Sequence, residues 1–331
     1  MLKNLSFIIK TSQDFIRTNE DNPPECDKIK LNSFFEAISD SYIPLLQMFE
    51  RLQNDNVAFK IGLVLPPVLC SMLEDEKIQQ LYVDFLDKRI ALGKKELNRC
   101  KDNSAALELA TAALEKNKEL KKTFSDLYNK NILAQFVKFQ KSGLIEILGT
   151  CATDIFMPYY ADLPEAISAQ IEMGLQSYKK CFGELPEGFY LPEFGYTPGI
   201  EKLIRAYGYS YTILHNRSIL LTDNPPANGI FYPVRIENSL VAFTADTFIQ
   251  DQIFAEDGLV QMQFTVTKIV ILVLNLILKS LHLLWKKKLP AVLQVINTGK
   301  KILAKTPVFL MIMPLLANRP GKMQIHLFKA G

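Results

Sequence analysis

The sequence predicts an α/β fold built on a mainly parallel sheet, and the order of its apolar segments supports that prediction. Short apolar runs typical of buried strands alternate with longer amphipathic stretches at helical spacing. The chain has 331 residues, of which 48% are hydrophobic and 22% charged. This composition excludes a disordered or collagen-like protein and suffices for one large or two ordinary globular domains.

The first part of the chain predicts two strand-loop-helix units. The apolar residues 5–9 predict the first buried strand, and residues 57–65 predict the second. Ser33 lies three residues before Glu36, which is the spacing of a capping box at a helix start. Ser71 and Glu74 repeat that spacing after the second strand. We therefore expect a helix to begin at each serine.

The middle of the chain continues the alternation. Residues 104–128 are rich in Ala, Leu, Lys and Glu without Pro or Gly, which predicts a helical insertion. Pro164 and Gly183 bracket a further helix, because Pro suits a first helical position and Gly the position after the last. The remaining predicted strands are residues 144–148, 189–191, 209–214, 230–236 and 240–244.

Charge divides the chain into two regions. Residues 1–257 hold all 35 acidic residues against 27 Lys and Arg, a net charge of −8. Residues 258–331 hold 11 Lys and Arg and no acidic residue, a net charge of +11. At the acid frequency of the first region, the second should contain roughly ten acidic residues. We therefore expect one domain over residues 1–257, followed by a basic, acid-free tail.

Several classes of protein are excluded by missing motifs. The five cysteines form no Cys-x-x-Cys pair, and residues 1–257 contain a single histidine, so a typical zinc or iron site is not expected. Neither a Gly-x-Gly-x-x-Gly motif nor a P-loop is present. We expect no cofactor, no metal and no nucleic-acid partner.

Targeting signals are also missing. The apolar run at the N-terminus ends at Ile9, which is too short for a signal-peptide core, and we expect a cytoplasmic protein with reduced thiols. The most apolar stretch, residues 269–278, spans about 15 Å as a helix, against roughly 30 Å for a bilayer core. Membrane contact through the tail is therefore the less favoured alternative.

Glu193 is the leading candidate for a catalytic residue. It directly follows a predicted strand, and functional groups in parallel α/β folds gather on the loops after the strands. Its neighbours Tyr190, Phe194 and Tyr196 have rings suited to stacking on a sugar or another flat apolar group. The alternative is an ordinary exposed loop carboxylate.

Two further residues follow predicted strands. Asp154 lies in the loop after residues 144–148, and His215 follows residues 209–214. A buried, hydrogen-bonded structural role is the commoner alternative for a single histidine.

The segment around Glu193 resembles glycoside hydrolase family 57, especially its 1,4-α-glucan branching enzymes. The motifs are Leu-Pro-Glu, which ends the strand at Glu193, and a Tyr-x-Pro-Gly turn at residues 196–199. The resemblance covers roughly residues 5–247. It implies an incomplete (β/α)7 barrel, truncated here and carrying helical insertions, and it implies an α-glucan such as glycogen as substrate.

The same resemblance implies roles for the candidate residues. Glu193 matches the nucleophile of a retaining mechanism, and His215 falls where the family carries a histidine. Tyr190, Phe194, Tyr196, Asp154 and His215 are then the expected substrate-binding residues.

The departures from the family pattern are as informative as the matches. The family's first strand ends in His-x-His-x-Pro, whereas residues 10–14 read Lys-Thr-Ser-Gln-Asp. Asp154 replaces the histidine of an Ala-Thr-His motif, and the downstream acid/base aspartate has no counterpart. Loss of general acid catalysis alone costs about 10²- to 10⁴-fold in rate. We therefore expect impaired or absent glucan transfer, with a non-catalytic glucan-binding or regulatory paralogue as the alternative.

The tail is expected to be foreign to the family. Its change of composition is what an out-of-frame reading of the same gene would produce, and this is the favoured explanation. A natural membrane-associating tail and a divergent helical domain are the alternatives. Without the missing barrel strands, we also expect an uncovered sheet edge that favours aggregation.

Overall fold

The computed structural model describes residues 2–17, 26–247 and 309–317, which form a mixed α/β structure. The strands are β1 (Leu2–Lys10), β2 (Ile61–Val64), β3 (Ile145–Leu148), β4 (Gly188–Tyr190), β5 (Tyr211–His215), β6 (Val234–Arg235), β7 (Val241–Ala245) and β8 (Phe309–Ala317). The α-helices are α1 (Lys28–Ala37), α2 (Ile43–Asn54), α3 (Pro67–Glu74), α4 (Glu76–Arg99), α5 (Ser104–Lys122), α6 (Ile132–Lys141), α7 (Pro164–Phe182), α8 (Ile200–Ala206) and α9 (Asn216–Leu220). The predicted alternation of strands and helices is confirmed, including the helical insertion at α5.

The strands form two four-stranded sheets, in the orders β3-β2-β1-β8 and β4-β5-β7-β6. Strands β1, β2 and β3 pair in parallel, and so do β4, β5 and β7. A parallel bridge between Gly149 and Phe189 links the two sheets at β3 and β4. The carboxyl ends of these parallel strands therefore lie along one edge. Lys10 ends β1 at this edge, and Glu193 lies in the loop after β4.

The edge of β1 is covered by another strand, and the expected uncovered sheet edge stays a prediction for the outer strands. Strand β8 pairs antiparallel with the whole of β1, from Leu2 opposite Ala317 to Lys10 opposite Phe309. Pro314 of β8 lies opposite Leu5 and has no backbone N–H to donate.

Most of the tail lies outside the described residues. The apolar run 269–278 is among the residues outside that description. The expected membrane contact and out-of-frame origin of the tail therefore stay predictions. The division of the chain at residue 258 stays a prediction. Among the helices that the structure does describe, none has both the length and the apolar composition needed to cross a bilayer.

Two predicted helix starts are wrong. Helix α1 begins at Lys28, five residues before Ser33, because the Asp27 carboxylate accepts the backbone N–H groups of Ile29 and Lys30. Asp75 caps α4 in the same way. An aspartate at this position satisfies N–H groups that have no partner within the helix. The prediction for α7 is confirmed, since it starts at Pro164 and ends before Gly183, whose φ is +77°.

An apolar cluster fills the space between the two sheets. Each parallel strand contributes at least one buried side chain to it. The buried members are Ile8, Val64, Leu148, Tyr190, Tyr211, Ile213, Phe243 and Ala245. The carboxyl edge of the barrel therefore rests on a dry core, in which any charged group needs a partner.

The five cysteines are free thiols, and two of them, Cys70 and Cys151, are buried. Burial raises the pKa of Cys151 far above its ordinary value. The Cys70 thiol donates to the Leu65 carbonyl, and the interaction of the half-buried Cys181 with the Cys70 side chain lowers the pKa of Cys181. Exposure and a lower pKa both make a thiol more reactive, and both favour Cys181 over Cys151.

We expect iodoacetamide at pH 7.5 to alkylate Cys181 well before Cys151 in the native protein, because the reagent attacks thiolates. Peptide mass spectrometry after timed quenching measures both rates. Unfolding in urea should remove most of the difference. Equal native rates would contradict the placement of Cys151 inside the fold.

Candidate functional site

A buried lysine binds two carboxylates at the carboxyl edge of the barrel. The Lys10 Nζ donates a hydrogen bond to Glu193 Oε1 at 2.9 Å, and Asp154 Oδ1 lies 3.4 Å from the same nitrogen. The Lys10 side chain is 2% exposed, whereas those of Glu193 and Asp154 are 52% and 33% exposed. The last residue of β1 and residues from the loops after β3 and β4 therefore meet at one ammonium group.

Tyr190 lies beneath this ion pair. Its ring centroid is 5.7 Å from Lys10 Nζ, which is within the range of a cation–π contact. The ring is buried. This burial, and to a smaller extent the nearby Glu193 carboxylate, raises the pKa of Tyr190 well above its ordinary value. Tyr190 thus supports Lys10 from inside the barrel, while a direct contact with substrate stays a prediction.

The backbone of Glu193 adopts an uncommon conformation. Glu193 and Phe194 have φ values of +51° and +54°, a region that costs non-glycine residues about 1 kcal/mol or more each. Hydrogen bonds from Phe194 N to Leu191 O and from Gly195 N to Pro192 O hold the turn. Such strain is concentrated at functional sites, where it fixes the direction of a side chain.

Asp154 is held by its own loop and by the loop after β1. Its Oδ2 accepts a hydrogen bond from Ser12 Oγ at 3.3 Å. The backbone of Ala152 and Thr153 donates to the backbone and side chain of Gln170 in α7. The carboxylate is therefore positioned by packing of α7 against the barrel.

His215 has a structural role at the end of β5. Its Nδ1 accepts a hydrogen bond from the Arg217 N–H at 3.1 Å and so caps α9. In the neutral ring the proton is then on Nε2. The ring also lies edge-on to Phe194, with centroids 5.8 Å apart, so both residues share the edge that carries Glu193.

Tyr196 is anchored away from the ion pair. Its hydroxyl donates to Glu201 Oε2 at 3.0 Å, and the same buried carboxylate accepts the Gly199 N–H at 2.8 Å. These bonds fix the Tyr-x-Pro-Gly turn. The structure therefore brings together Glu193, Asp154 and Phe194, with Tyr190 below and Tyr196 to the side.

Lys10 is the residue of this site that sequence reasoning missed. The sequence marks residues 10–14 as one of the strand ends where functional groups gather, but it assigns no role to Lys10 itself. The available signal was a lysine directly after an apolar strand, at the position of the first motif histidine.

The arrangement suits hydroxyl binding better than proton transfer. Because one ammonium lies within 3.4 Å of both carboxylates, Glu193 and Asp154 are close enough to flank a glycosidic bond. A retaining mechanism, however, needs one of two such groups in its protonated form. Here both carboxylates are bound to the same ammonium group, which engages an oxygen atom of each. In the described part of the chain, no group of three or more His, Cys, Asp or Glu residues is arranged to hold a metal ion.

The chain is similar in sequence and in structure to several known proteins. Residues 6–269 match the family model of glycosyl hydrolase family 57. The chain is 29% identical over 250 residues to a 1,4-alpha-glucan branching enzyme of Thermococcus kodakarensis. It superposes on the alpha-amylase AmyC of Thermotoga maritima (27% identity, TM-score 0.71) and on a branching enzyme of Pyrococcus horikoshii (25% identity, TM-score 0.67).

These relatives confirm the fold and are longer than this chain. The match covers 71% of the chain but 35% of the Thermococcus enzyme. It covers 77% of the chain and 48% and 49% of the two solved structures, so the chain spans about half of their length or less. The expected (β/α)7 barrel architecture is confirmed by these structures.

We expect Lys10→Met to destabilise the fold by about 2 kcal/mol, because it leaves two carboxylates facing each other without their cation. Urea unfolding at pH 7 measures the loss. Lys118→Met, which removes the cation of an exposed pair with Glu115, is the control and should change stability by less than about 0.5 kcal/mol. A loss for Lys10→Met no larger than that of the control would contradict a stabilising role for the Lys10 ion pairs.

Proposed function

Because the chain belongs to glycosyl hydrolase family 57, we propose that it recognises α-glucans at the carboxyl edge of its barrel. Glu193 occupies the place of the family's nucleophile in this proposal. The relatives support the substrate class, since they are two branching enzymes and an alpha-amylase. A glycogen-like polymer as natural ligand and a cytoplasmic location belong to the same proposal.

A chain with a complete catalytic pair would transfer a sugar with retention of configuration at its anomeric carbon. Glu193 would attack the anomeric carbon and form a covalent glycosyl-enzyme, while a second carboxyl group protonated the leaving oxygen. A 6-hydroxyl group of glucan would then accept the sugar in branching, and water would accept it in hydrolysis. Both outcomes need a free nucleophile and a protonated partner.

Our proposal on activity rests on the ion pairs that Lys10 makes with Glu193 and Asp154. The hydrogen bond from Lys10 Nζ occupies one oxygen of Glu193 and stabilises its negative charge, which lowers its nucleophilicity. The same ammonium lies 3.4 Å from Asp154 Oδ1, so both carboxylates of the site are engaged with one cation and neither is a free partner for the other. We therefore propose that glucan transfer is impaired or lost.

A non-catalytic glucan-binding or regulatory role is the second candidate. It is favoured by the Glu193 and Asp154 carboxylates, which are 52% and 33% exposed, since carboxylate oxygens accept hydrogen bonds from sugar hydroxyls. Such binding needs neither a proton donor nor a cofactor.

We expect no branching or hydrolysis of amylose by the purified chain, as measured by the absorbance of the amylose–iodine complex. Wild type, Glu193→Gln and the remote control Glu108→Gln, at an exposed residue of α5, should all match the buffer blank. Loss of the iodine colour with wild type and Glu108→Gln, but not with Glu193→Gln, would overturn the conclusion on activity.

We expect the native chain to be retarded in a gel that contains glycogen, because the site still binds glucan hydroxyls. Free maltoheptaose added to the gel should restore the mobility. Unchanged mobility in glycogen would contradict the proposed ligand class, whatever the result of the iodine assay.

A further inference from the structure

Three exposed aromatic side chains lie on the loop between β3 and α7. Tyr159 is 85% exposed, Tyr160 41% and Phe156 37%. Large apolar groups gathered on a surface commonly mark a binding site. The aromatic platform, as we name Phe156, Tyr159 and Tyr160, lies on or next to the 3-10 turn Met157–Tyr160.

The platform is held in place by its own packing. Met157, in the middle of it, is fully buried and anchors the turn in the apolar core. The Phe156 and Tyr159 rings lie 4.9 Å apart at an angle of 65°, and the Tyr159 N–H donates to the Phe156 carbonyl at 3.1 Å. Aromatic side chains fixed in this way lose little conformational freedom when a ligand binds.

The platform is continuous with the Glu193 site. A Cβ atom at Gly195 would lie 2.8 Å from Pro158 Cδ and 3.0 Å from Phe156 Cδ2. The loop therefore packs directly against the residue two positions after Glu193. Its first part carries Asp154, which binds Lys10. A ligand chain that leaves the Glu193 site on this side would pass over the platform.

We propose that the aromatic platform stacks successive glucosyl units of an α-glucan chain outside the Glu193 site. The proposal rests on the ligand class given under Proposed function. A pyranose ring has an apolar face of C–H groups that packs on an aromatic ring, and the tyrosine hydroxyl groups bind the sugar's rim. The exposed Asp162 and Glu165 border the platform with acceptors for hydroxyl groups. These carboxylates also disfavour an anionic ligand.

The test compares long and short glucans. The double variant Tyr159→Ala, Tyr160→Ala should bind maltoheptaose about tenfold more weakly than wild type in isothermal titration calorimetry, since it loses two aromatic stacking contacts; a tenfold loss corresponds to about 1.4 kcal/mol. Its affinity for maltose should be unchanged. Tyr159→Phe, Tyr160→Phe keeps the rings and should retain most of the affinity. Leu109→Ala, which removes another exposed apolar side chain on α5, should leave both affinities unchanged.

The outcomes separate this proposal from the proposed function. If the double alanine variant binds maltoheptaose as tightly as wild type, the platform is overturned and the ligand class stands. If wild type binds no glucan of any length, both fall. If the substitutions instead convert a dimer to a monomer in size-exclusion chromatography without changing affinity, the aromatic platform is an interface between copies and the proposal is wrong.

Discussion

The ammonium group of Lys10 is the constraint on which the rest of the site depends. It lies in the apolar interior of the barrel, where an isolated charge is costly, and it is stabilised there by Glu193 and Asp154. The same ion pairs fix both carboxylates and connect the end of β1 with the loops after β3 and β4. The strained backbone of Glu193 and the packing of α7 against the Asp154 loop hold the same arrangement.

Two of the departures from the family motif belong together physically. A lysine in place of the first histidine adds a buried cation, and an aspartate in place of a later histidine adds an anion within its reach. Lys10 alone would still be balanced by Glu193, whereas Asp154 without Lys10 would share the site with Glu193 and no cation. In the resulting site both carboxylates are bound to the same ammonium group. The proposals of impaired transfer and of an extended aromatic platform both rest on the proposal that this site binds glucan.

The sequence predicted what depends on local pattern. The order of the strands, both ends of α7 and the position of Glu193 follow from apolar runs and from Pro and Gly. The first two helix starts were missed because a Ser-x-x-Glu spacing also occurs by chance inside helices. The contact of Lys10 with Glu193 joins positions 183 residues apart, which only the closure of the barrel brings together. Strand β8 was missed because the composition of the tail gave no alternating pattern that sets its pairing with β1.

The most direct measurement of the central claim is covalent labelling with 5-fluoro-α-D-glucosyl fluoride, followed by intact-protein and peptide mass spectrometry. Fluoride leaves without protonation, so the reagent tests Glu193 independently of the missing acid. If Lys10 holds the nucleophile inactive, Lys10→Met should gain one fluoroglucosyl group on Glu193 and wild type none. Labelling of wild type at Glu193 at least as fast as the variant would contradict this account.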